Sequence, residues 1–310
     1  MPNNTKLSVI IPCYNSEKII ESVVKETIDV ITELGYLYEI ILVNDNSSDS
    51  TLYEIRKLCK NNINIKGVDF SKNFGQHSAM QAAFTFVTGD IVIYSDDDGQ
   101  TPINELNKLL LKLDEGYDMV CAKFDVKKNS IIQNLGTKVN NLMAQILIEK
   151  PKEVHMGNFW ICKQFIVKES IKCQNPYPYL AGVFLGITRN IAMVNTGHRP
   201  RKYGKSNYTF SKMFALWLNG FTAFSIKPLR IASLFGLLVS MIGFFYLFYV
   251  ILNKINNPDL PMGYSSIMSA LLIIGGFILI MLGLIGEYVG RIYININNKP
   301  QFVIKEIINI

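Results

Sequence analysis

Three consecutive carboxylates, Asp96, Asp97 and Asp98, run into Gly99, Gln100, Thr101 and Pro102. Packing does not explain such a cluster, because adjacent carboxylates repel one another and lose hydration when buried. A divalent cation carrying a polyphosphate would explain it: hard oxygen ligands hold Mg²⁺ or Mn²⁺, and the metal neutralises a diphosphate. A solvated acidic turn that caps a helix is the plainer alternative for this stretch alone. A second chemical patch, from His198 to Tyr208, holds Arg199, Arg201, Lys202, Gly204, Lys205 and Ser206. Arginine binds phosphate oxygens with two parallel hydrogen bonds, and a glycine beside a small hydroxyl residue suits close approach. A basic linker beside a membrane is the alternative here.

The elements around the acidic triplet place it. Asp90 to Tyr94 is an apolar, β-branched run of buried-strand type, and Pro102 opens a helical pattern with Leu106, Leu109, Leu110 and Leu113 on one face. Upstream, Leu7 to Pro12 reads as a strand, a helix starts at Glu17, and Tyr38 to Val43 is a second strand. The polar turn Asn44 to Thr51 leads into a helix with Leu52, Ile55 and Leu58 inward; Ile63 to Phe70 is a third strand, and Ser78 to Thr88 a small-residue helix. The order is β-α-β-α-β-α-β, which implies a largely parallel sheet with helices on both faces. Ligands bind outside the carboxyl ends of such strands, so Tyr14, Asp45, Lys72 and Asp96 can converge from distant positions. Neither GxGxxG after the first strand nor GxxxxGK[ST] anywhere is present, which disfavours a common dinucleotide fold and a P-loop. Further on, Tyr117 to Phe124 and Gly157 to Cys162 read as strands, and Ser130 to Glu149 as a helix of either core or interfacial type. The stretches Tyr177 to Leu185 and Ile191 to Thr196 close the domain.

Composition narrows the class. The 310 residues carry a net charge of +6, too modest and too thinly interleaved with aromatics for a nucleic-acid surface. Five cysteines at irregular spacing, without CxxC, read as reduced and mostly buried thiols, so neither a zinc site nor a catalytic thiol is supported. The three histidines share no motif. The N-terminus leads from a polar stretch into a strand, with no signal peptide expected.

The apolar excess concentrates after Pro228. Ile231 to Asn253 is free of charge over 23 residues, enough to cross a bilayer core of ~30 Å, and Leu260 to Gly286 is a second uncharged run. The helix Ser211 to Phe224 reads as amphipathic and interfacial. Lys227, Arg230, Arg291, Lys299 and Lys305 flank the two spans while Lys254 and Asp259 lie between them, so positive-inside bias puts both flanks in the cytoplasm. The expected organisation is an α/β domain at 1–208, an interfacial helix at 209–228, spans at 229–253 and 265–287 joined by an extracytoplasmic loop at 254–264, and a cytoplasmic tail at 288–310. The protein so expected is a multi-pass protein of the cell membrane with both termini inside.

Four segments together resemble, in order, the motifs of inverting family 2 glycosyltransferases with the GT-A fold: Val9 to Asn15, Val43 to Asp49, Lys72 to Gly75, and Asp96 to Pro102. The Arg201…Gly204-Lys205-Ser206…Tyr208 loop, the hairpin, and the Gly286 to Tyr293 stretch with Lys299-Pro300 resemble the polyisoprenyl-phosphate subgroup, which contains dolichol-phosphate mannose synthase. The resemblance implies a nucleotide-sugar site of Pro12, Tyr14, Asn15, Glu17, Asp45, Lys72, Asp96 and Asp97. It implies metal ligands Asp96, Asp98 and Gln100 for Mg²⁺ or Mn²⁺, and phosphate or acceptor contacts from Lys123, Arg201, Lys205 and Ser206. Asp96, Asp98 and Arg201 are the implied catalytic set, and a homo-oligomer, a tetramer, the implied assembly. Some positions depart from the pattern: Asn44 and Asn46 replace Asp and Gly, Lys72 replaces Arg, Gly99 replaces Leu, and Cys121-Ala122-Lys123 stands where GxR is usual. Ser16 stands where many members carry Glu, with Glu17 next.

The activity so implied is transfer of a sugar from a UDP- or GDP-linked donor to undecaprenyl or dolichyl phosphate, with inversion. Other acceptors such as diacylglycerol, or an inactive scaffold or flippase partner, are the alternatives. A processive synthase is disfavoured by the missing QxxRW motif and by too few spans.

Overall fold

The computed structural model describes residues 5–124, 151, 154, 156–173, 180–197, 227–256, 263–296 and 300–309. The helix expected at Ser130 to Glu149, the basic loop with Arg201, Lys205 and Ser206, and the interfacial helix at Ser211 to Phe224 lie outside these residues.

β1 (Lys6–Cys13), β2 (Leu37–Asn44), β3 (Ile65–Phe70) and β4 (Ile91–Ser95) are rich in isoleucine and valine and almost wholly buried. Strands covered on both faces need apolar residues at successive positions, and these have them. α1 (Ile20–Glu33), α2 (Thr51–Asn61) and α3 (Gln76–Phe84) link them, and the four strands pair parallel in the order β4-β1-β2-β3. A short 3₁₀ turn at Ile103–Glu105 and α4 (Leu106–Asp114) lead to β5 (Met119–Phe124). β6 (Phe159–Lys163) inserts antiparallel between β4 and β5; α5 (Gln164–Ile171), α6 (Leu180–Ile187) and β7 (Ile191–Thr196) follow. The sheet order is β7-β5-β6-β4-β1-β2-β3-β8, with β8 (Ile304–Ile308) antiparallel to β3.

Alternation along each strand sends side chains to two cores. Val9, Ile11, Ile40 and Leu42 face α1, α2 and α4, where Leu106, Leu109, Leu110 and Leu113 pack as the sequence predicts. Ile10, Ile41, Val43 and Val68 face α3, α5 and α6. Ala79, Ala82 and Ala83 bring α3 close to the sheet, and Trp160 packs between Phe84 and Phe184. All five cysteines are free thiols.

Local boundaries differ from the sequence reading for identifiable reasons. α1 begins at Ile20 rather than Glu17: residues 17–19 form a turn in which the Ile19 and Ile20 amides both donate to Ser16 O, while the Ser16 and Glu17 amides donate to Thr51 Oγ1 and Asp49 Oδ2. α3 ends at Phe84 rather than Thr88, because the Thr88 and Gly89 amides turn to Glu39. Pro102 precedes a 3₁₀ turn, and the α-helix starts only at Leu106. The stretch read as a tail contributes a sheet strand, β8.

Residues 211–298 form a separate unit. It holds α7 (Lys227–Asn256) and α8 (Tyr264–Ile296), of 30 and 33 residues. At 1.5 Å per residue each exceeds a bilayer core of ~30 Å. Phe244, Phe245 and Phe248 on α7 and Ile273, Ile278 and Leu282 on α8 are exposed, a surface suited to lipid. Among the described residues, Ile273–Gly290 is long and apolar enough, by length and composition, to cross a membrane. α8 runs nine residues past the expected end at 287.

The sheet edge opposite the acidic triplet is tied by one buried carboxylate. Glu39, 1% exposed, accepts from Ser8 Oγ at 2.5 Å, the Thr88 amide at 2.7 Å and Thr88 Oγ1 at 2.8 Å, and pairs with Lys6 Nζ at 3.0 Å and Lys66 Nζ at 3.1 Å. Burial alone would raise its pKa; the donors outweigh burial and hold it at about 2. Its proton affinity is therefore lower folded than unfolded. The group stabilises the fold fully above the ordinary carboxylate value of 4.5, and that contribution fades as the pH falls toward 2. Glu39→Ala should cost about 3 kcal/mol or more by stranding these donors, measured by thermal unfolding of the detergent-solubilised chain. Glu39→Gln should flatten the acid limb of stability between those two pH values.

Candidate functional site

Parallel strands deliver their carboxyl ends to one edge. Cys13 is paired with Asn44 and Asn44 with Asp69, while Tyr94 lies level with Ile10. Four turns leave this edge, and they are bonded to one another rather than merely adjacent.

The first and second turns interlock. Asn15 sits in the left-handed region at φ 54°, where asparagine is tolerated, and its amide donates to Ser47 Oγ at 3.0 Å. Asn15 Oδ1 accepts from the Ser48 amide at 2.9 Å, and Glu17 accepts from the Ser50 amide at 2.9 Å. The second turn is bonded to the third. Asp45, 4% exposed, accepts from the Phe74 amide at 2.7 Å and the Gly75 amide at 2.8 Å. Burial raises its pKa above the usual carboxylate value, against the pull of those two amides. Gly75 at φ 88° opens α3, a conformation that favours glycine. Asn44 Nδ2 donates to Asp69 Oδ1 at 2.7 Å, so asparagine here has a buried partner of its own.

The acidic triplet lies in the fourth turn. Asp96 Oδ1 accepts from Gln76 Nε2 at 2.8 Å and from the Tyr94 hydroxyl; Asp96 Oδ2 accepts from Asn158 Nδ2 at 2.5 Å. Asp97 Oδ2 accepts from the Tyr14 amide at 2.9 Å, joining the fourth turn to the first. Asp98 Oδ1 accepts from the Gln100 amide at 3.0 Å across Gly99, whose φ of 71° favours glycine over the branched residue usual in the motif. Burial first, then the charges of Asp98 and Asp97, push the pKa of Asp96 up to about 7 against the pull of Tyr94 and Asn158. Burial and Asp98 push Asp97 up to about 6, against the Tyr14 amide. Crowded carboxylates with raised proton affinity favour a neighbouring cation, and an all-oxygen donor set fits a hard divalent ion. Among the described residues no three His, Cys, Asp or Glu side chains form a cluster able to hold a metal alone.

Of the remaining expected site residues, Tyr14 is 45% exposed, while Pro12 is buried inside β1. Lys72 is exposed, with its ammonium 5.0 Å from the centre of the Phe74 ring. Lys123 is exposed on β5 opposite Asn195 of β7. Arg201, Lys205 and Ser206 lie outside the described residues.

Sequence reasoning missed Gln76 and Asn158. Asn158 reaches Asp96 because β6 runs antiparallel beside β4, with Phe159 opposite Ser95 and Trp160 stacked on Tyr94 at 5.3 Å. Nothing in the local sequence announces that pairing. The Tyr94 hydroxyl was visible two residues before Asp96, but the strand pattern hid its role.

Comparison with known proteins decides the class. The model of glycosyl transferase family 2 matches residues 8–172, and that of the GtrB C-terminal hairpin matches residues 227–292. The putative glycosyltransferase CsbB of Bacillus subtilis (strain 168) is 32% identical over 97% of this chain and 91% of its own. The chain belongs to glycosyl transferase family 2. The glycosyltransferase is also 31% identical to the undecaprenyl-phosphate 4-deoxy-4-formamido-L-arabinose transferase of Klebsiella pneumoniae (strain 342), over 99% of this chain and 95% of that one. In fold it is similar to glucosyl-3-phosphoglycerate synthase from Mycobacterium tuberculosis, crystallised with Mn²⁺, uridine diphosphate and phosphoglyceric acid. The TM-score is 0.50, at 19% identity over 70% of this chain and 76% of that chain. The sheet and its helices are those of the GT-A fold.

Asn158→Ala removes a hydrogen bond to a charged group, so the glycosyltransferase should lose about 10-fold or more in sugar transfer with little change in melting temperature. Asn158→Asp sets a further carboxylate against Asp96 and should lose more. Side-by-side transfer assays and melting curves of the two variants check both expectations.

Proposed function

We propose that this glycosyltransferase moves a sugar, with inversion, from a UDP- or GDP-linked donor to a polyisoprenyl phosphate at the cytoplasmic face of the membrane. The observation that carries the reading is the pairing, in one chain, of a crowded acidic turn on the ligand edge of a parallel sheet with a family hairpin long enough to enter lipid. One substrate is aqueous and the other lies in the bilayer. The relatives named as undecaprenyl-phosphate transferases support the acceptor, and the lysines and arginines flanking the hairpin support a cytoplasmic site with both termini inside. The family resemblance supports a homo-oligomer, a tetramer.

In this reading Asp96, Asp98 and the Gln100 side chain hold Mg²⁺ or Mn²⁺. The chemistry supplied by that ion, when bound, is neutralisation of the leaving nucleoside diphosphate. Tyr14 and Lys72, both exposed at the edge, contact the donor, and Pro12, Asn15, Glu17, Asp45 and Asp97 shape its site through the interlocked turns. Lys123, Arg201, Lys205 and Ser206 take the acceptor phosphate and the donor diphosphate. The acceptor phosphate is an anion at neutral pH, so the site needs no strong base. Its work is to hold the nucleophile in line and stabilise the departing charge.

Purified protein incubated with undecaprenyl phosphate, Mn²⁺ or Mg²⁺ and radiolabelled UDP- and GDP-sugars should move label from one donor into the organic phase. Transfer should stop on adding EDTA. Asp96→Ala and Asp98→Ala should each lose about 100-fold or more while melting like the parent. Full activity in both variants, or transfer that survives EDTA, would overturn the site. Label arriving in diacylglycerol and not in undecaprenyl phosphate would overturn the acceptor.

A further inference from the structure

The segment that follows the hairpin is built into the catalytic unit beside the third turn. The Ser71 amide donates to Val303 O at 3.0 Å, and Gln301 Nε2 donates to Cys173 O at 2.8 Å. Phe302 lies flat on Phe70, with ring centres 5.7 Å apart and planes within 7° of parallel. Phe70 is buried and meets Phe74 edge to face at 5.5 Å. Phe74 in turn carries the Lys72 ammonium 5.0 Å from its ring centre, and its amide is fixed by Asp45. A continuous row, Phe302–Phe70–Phe74–Lys72, thus runs from the post-hairpin segment to a charged side chain at the ligand edge. Ring pairs of these geometries and a cation over a ring face are attractive, and each contact restricts the next. Lys72 carries its point charge on a flexible four-carbon stem, and the Phe74 ring beneath it restricts where that charge sits.

We propose that Phe302 is a positioning residue: through Phe70 and Phe74 it sets where Lys72 presents its charge to the donor nucleotide sugar. The proposal rests on the reading of Lys72 as a donor contact. Lys72 supplies the charge, and a residue about 230 positions away, beyond the membrane hairpin, fixes its location.

The full-length protein in detergent tests this with Phe302→Leu, which keeps apolar volume but removes the stack, alongside Phe302→Tyr, Lys72→Ala and the double variant Lys72→Ala/Phe302→Leu. Hydrogen exchange at residues 71–75 should rise roughly 5-fold or more in Phe302→Leu, with β1 and β2 unchanged, and return toward the parent rate in Phe302→Tyr. In the transfer assay Phe302→Leu should raise the donor KM roughly 5-fold with kcat changed far less, and Phe302→Tyr should restore it. The double variant should be no worse than Lys72→Ala alone. Unchanged exchange at 71–75 in Phe302→Leu would overturn the proposal, as would losses that multiply in the double variant. If the parent transfers no sugar from any donor, the proposed function fails. Binding of UDP and GDP then replaces the kinetic readout: coupled losses of affinity support the positioning role, and independent losses overturn it.

Discussion

Mutual repulsion among Asp96, Asp97 and Asp98 is the constraint around which this molecule is arranged. Isolated, three adjacent carboxylates at the mouth of a buried strand would take up protons or pull the strand end into water. Here each is given a different holder. Asp96 lies among the Tyr94 hydroxyl and the Gln76 and Asn158 amides, Asp97 on the Tyr14 backbone, and Asp98 on the far side of a glycine turn. The holders come from the turn after β1, from α3, from β4 and from the entry to β6, so the triplet is supported only when the parallel sheet and its antiparallel insertion are both in place.

The two ends of the sheet show contrasting uses of buried charge. At one, Glu39 faces two lysines, two hydroxyls and two backbone amides, and its pKa is held down at about 2. At the other, Asp96 and Asp97 have donors too, but burial and neighbouring like charge win, and their pKa values rise to about 7 and about 6. A fully compensated carboxylate belongs to the framework. An undercompensated pair keeps a raised proton affinity and favours positive charge beside it.

Much of this was legible in the sequence because it is local. The β-branched runs gave strands, the leucine spacing of α4 gave its buried face, and the polar turns after β1, β2 and β4 marked the ligand edge. The substitution of glycine at position 99 is explained by its left-handed backbone, and asparagine at 44 by its buried bond to Asp69. What stayed hidden depends on non-local pairing. No periodicity could say that β6 slots in antiparallel and brings Asn158 to Asp96. Nor could it say that Ile304–Ile308, a short alternation past a hydrophobic hairpin, would find β3. The bonds from Asp45 to the Phe74 and Gly75 amides, which tie the second turn to the third, are likewise invisible in the motif that contains it. Motif order reveals that a residue matters; only the fold reveals through what.

The position of β8 also has a consequence for biosynthesis. Its strand lies beside β3, and Glu306 pairs with Arg56, 250 positions earlier. During translation, β3 and its neighbours leave the ribosome with one sheet edge bare. That edge stays open while the hydrophobic hairpin is made. An exposed edge is a template for wrong partners, and closing so long a loop is slow. The sheet can be completed only after the hairpin has been synthesised, so folding of the catalytic unit cannot finish before the hairpin is made.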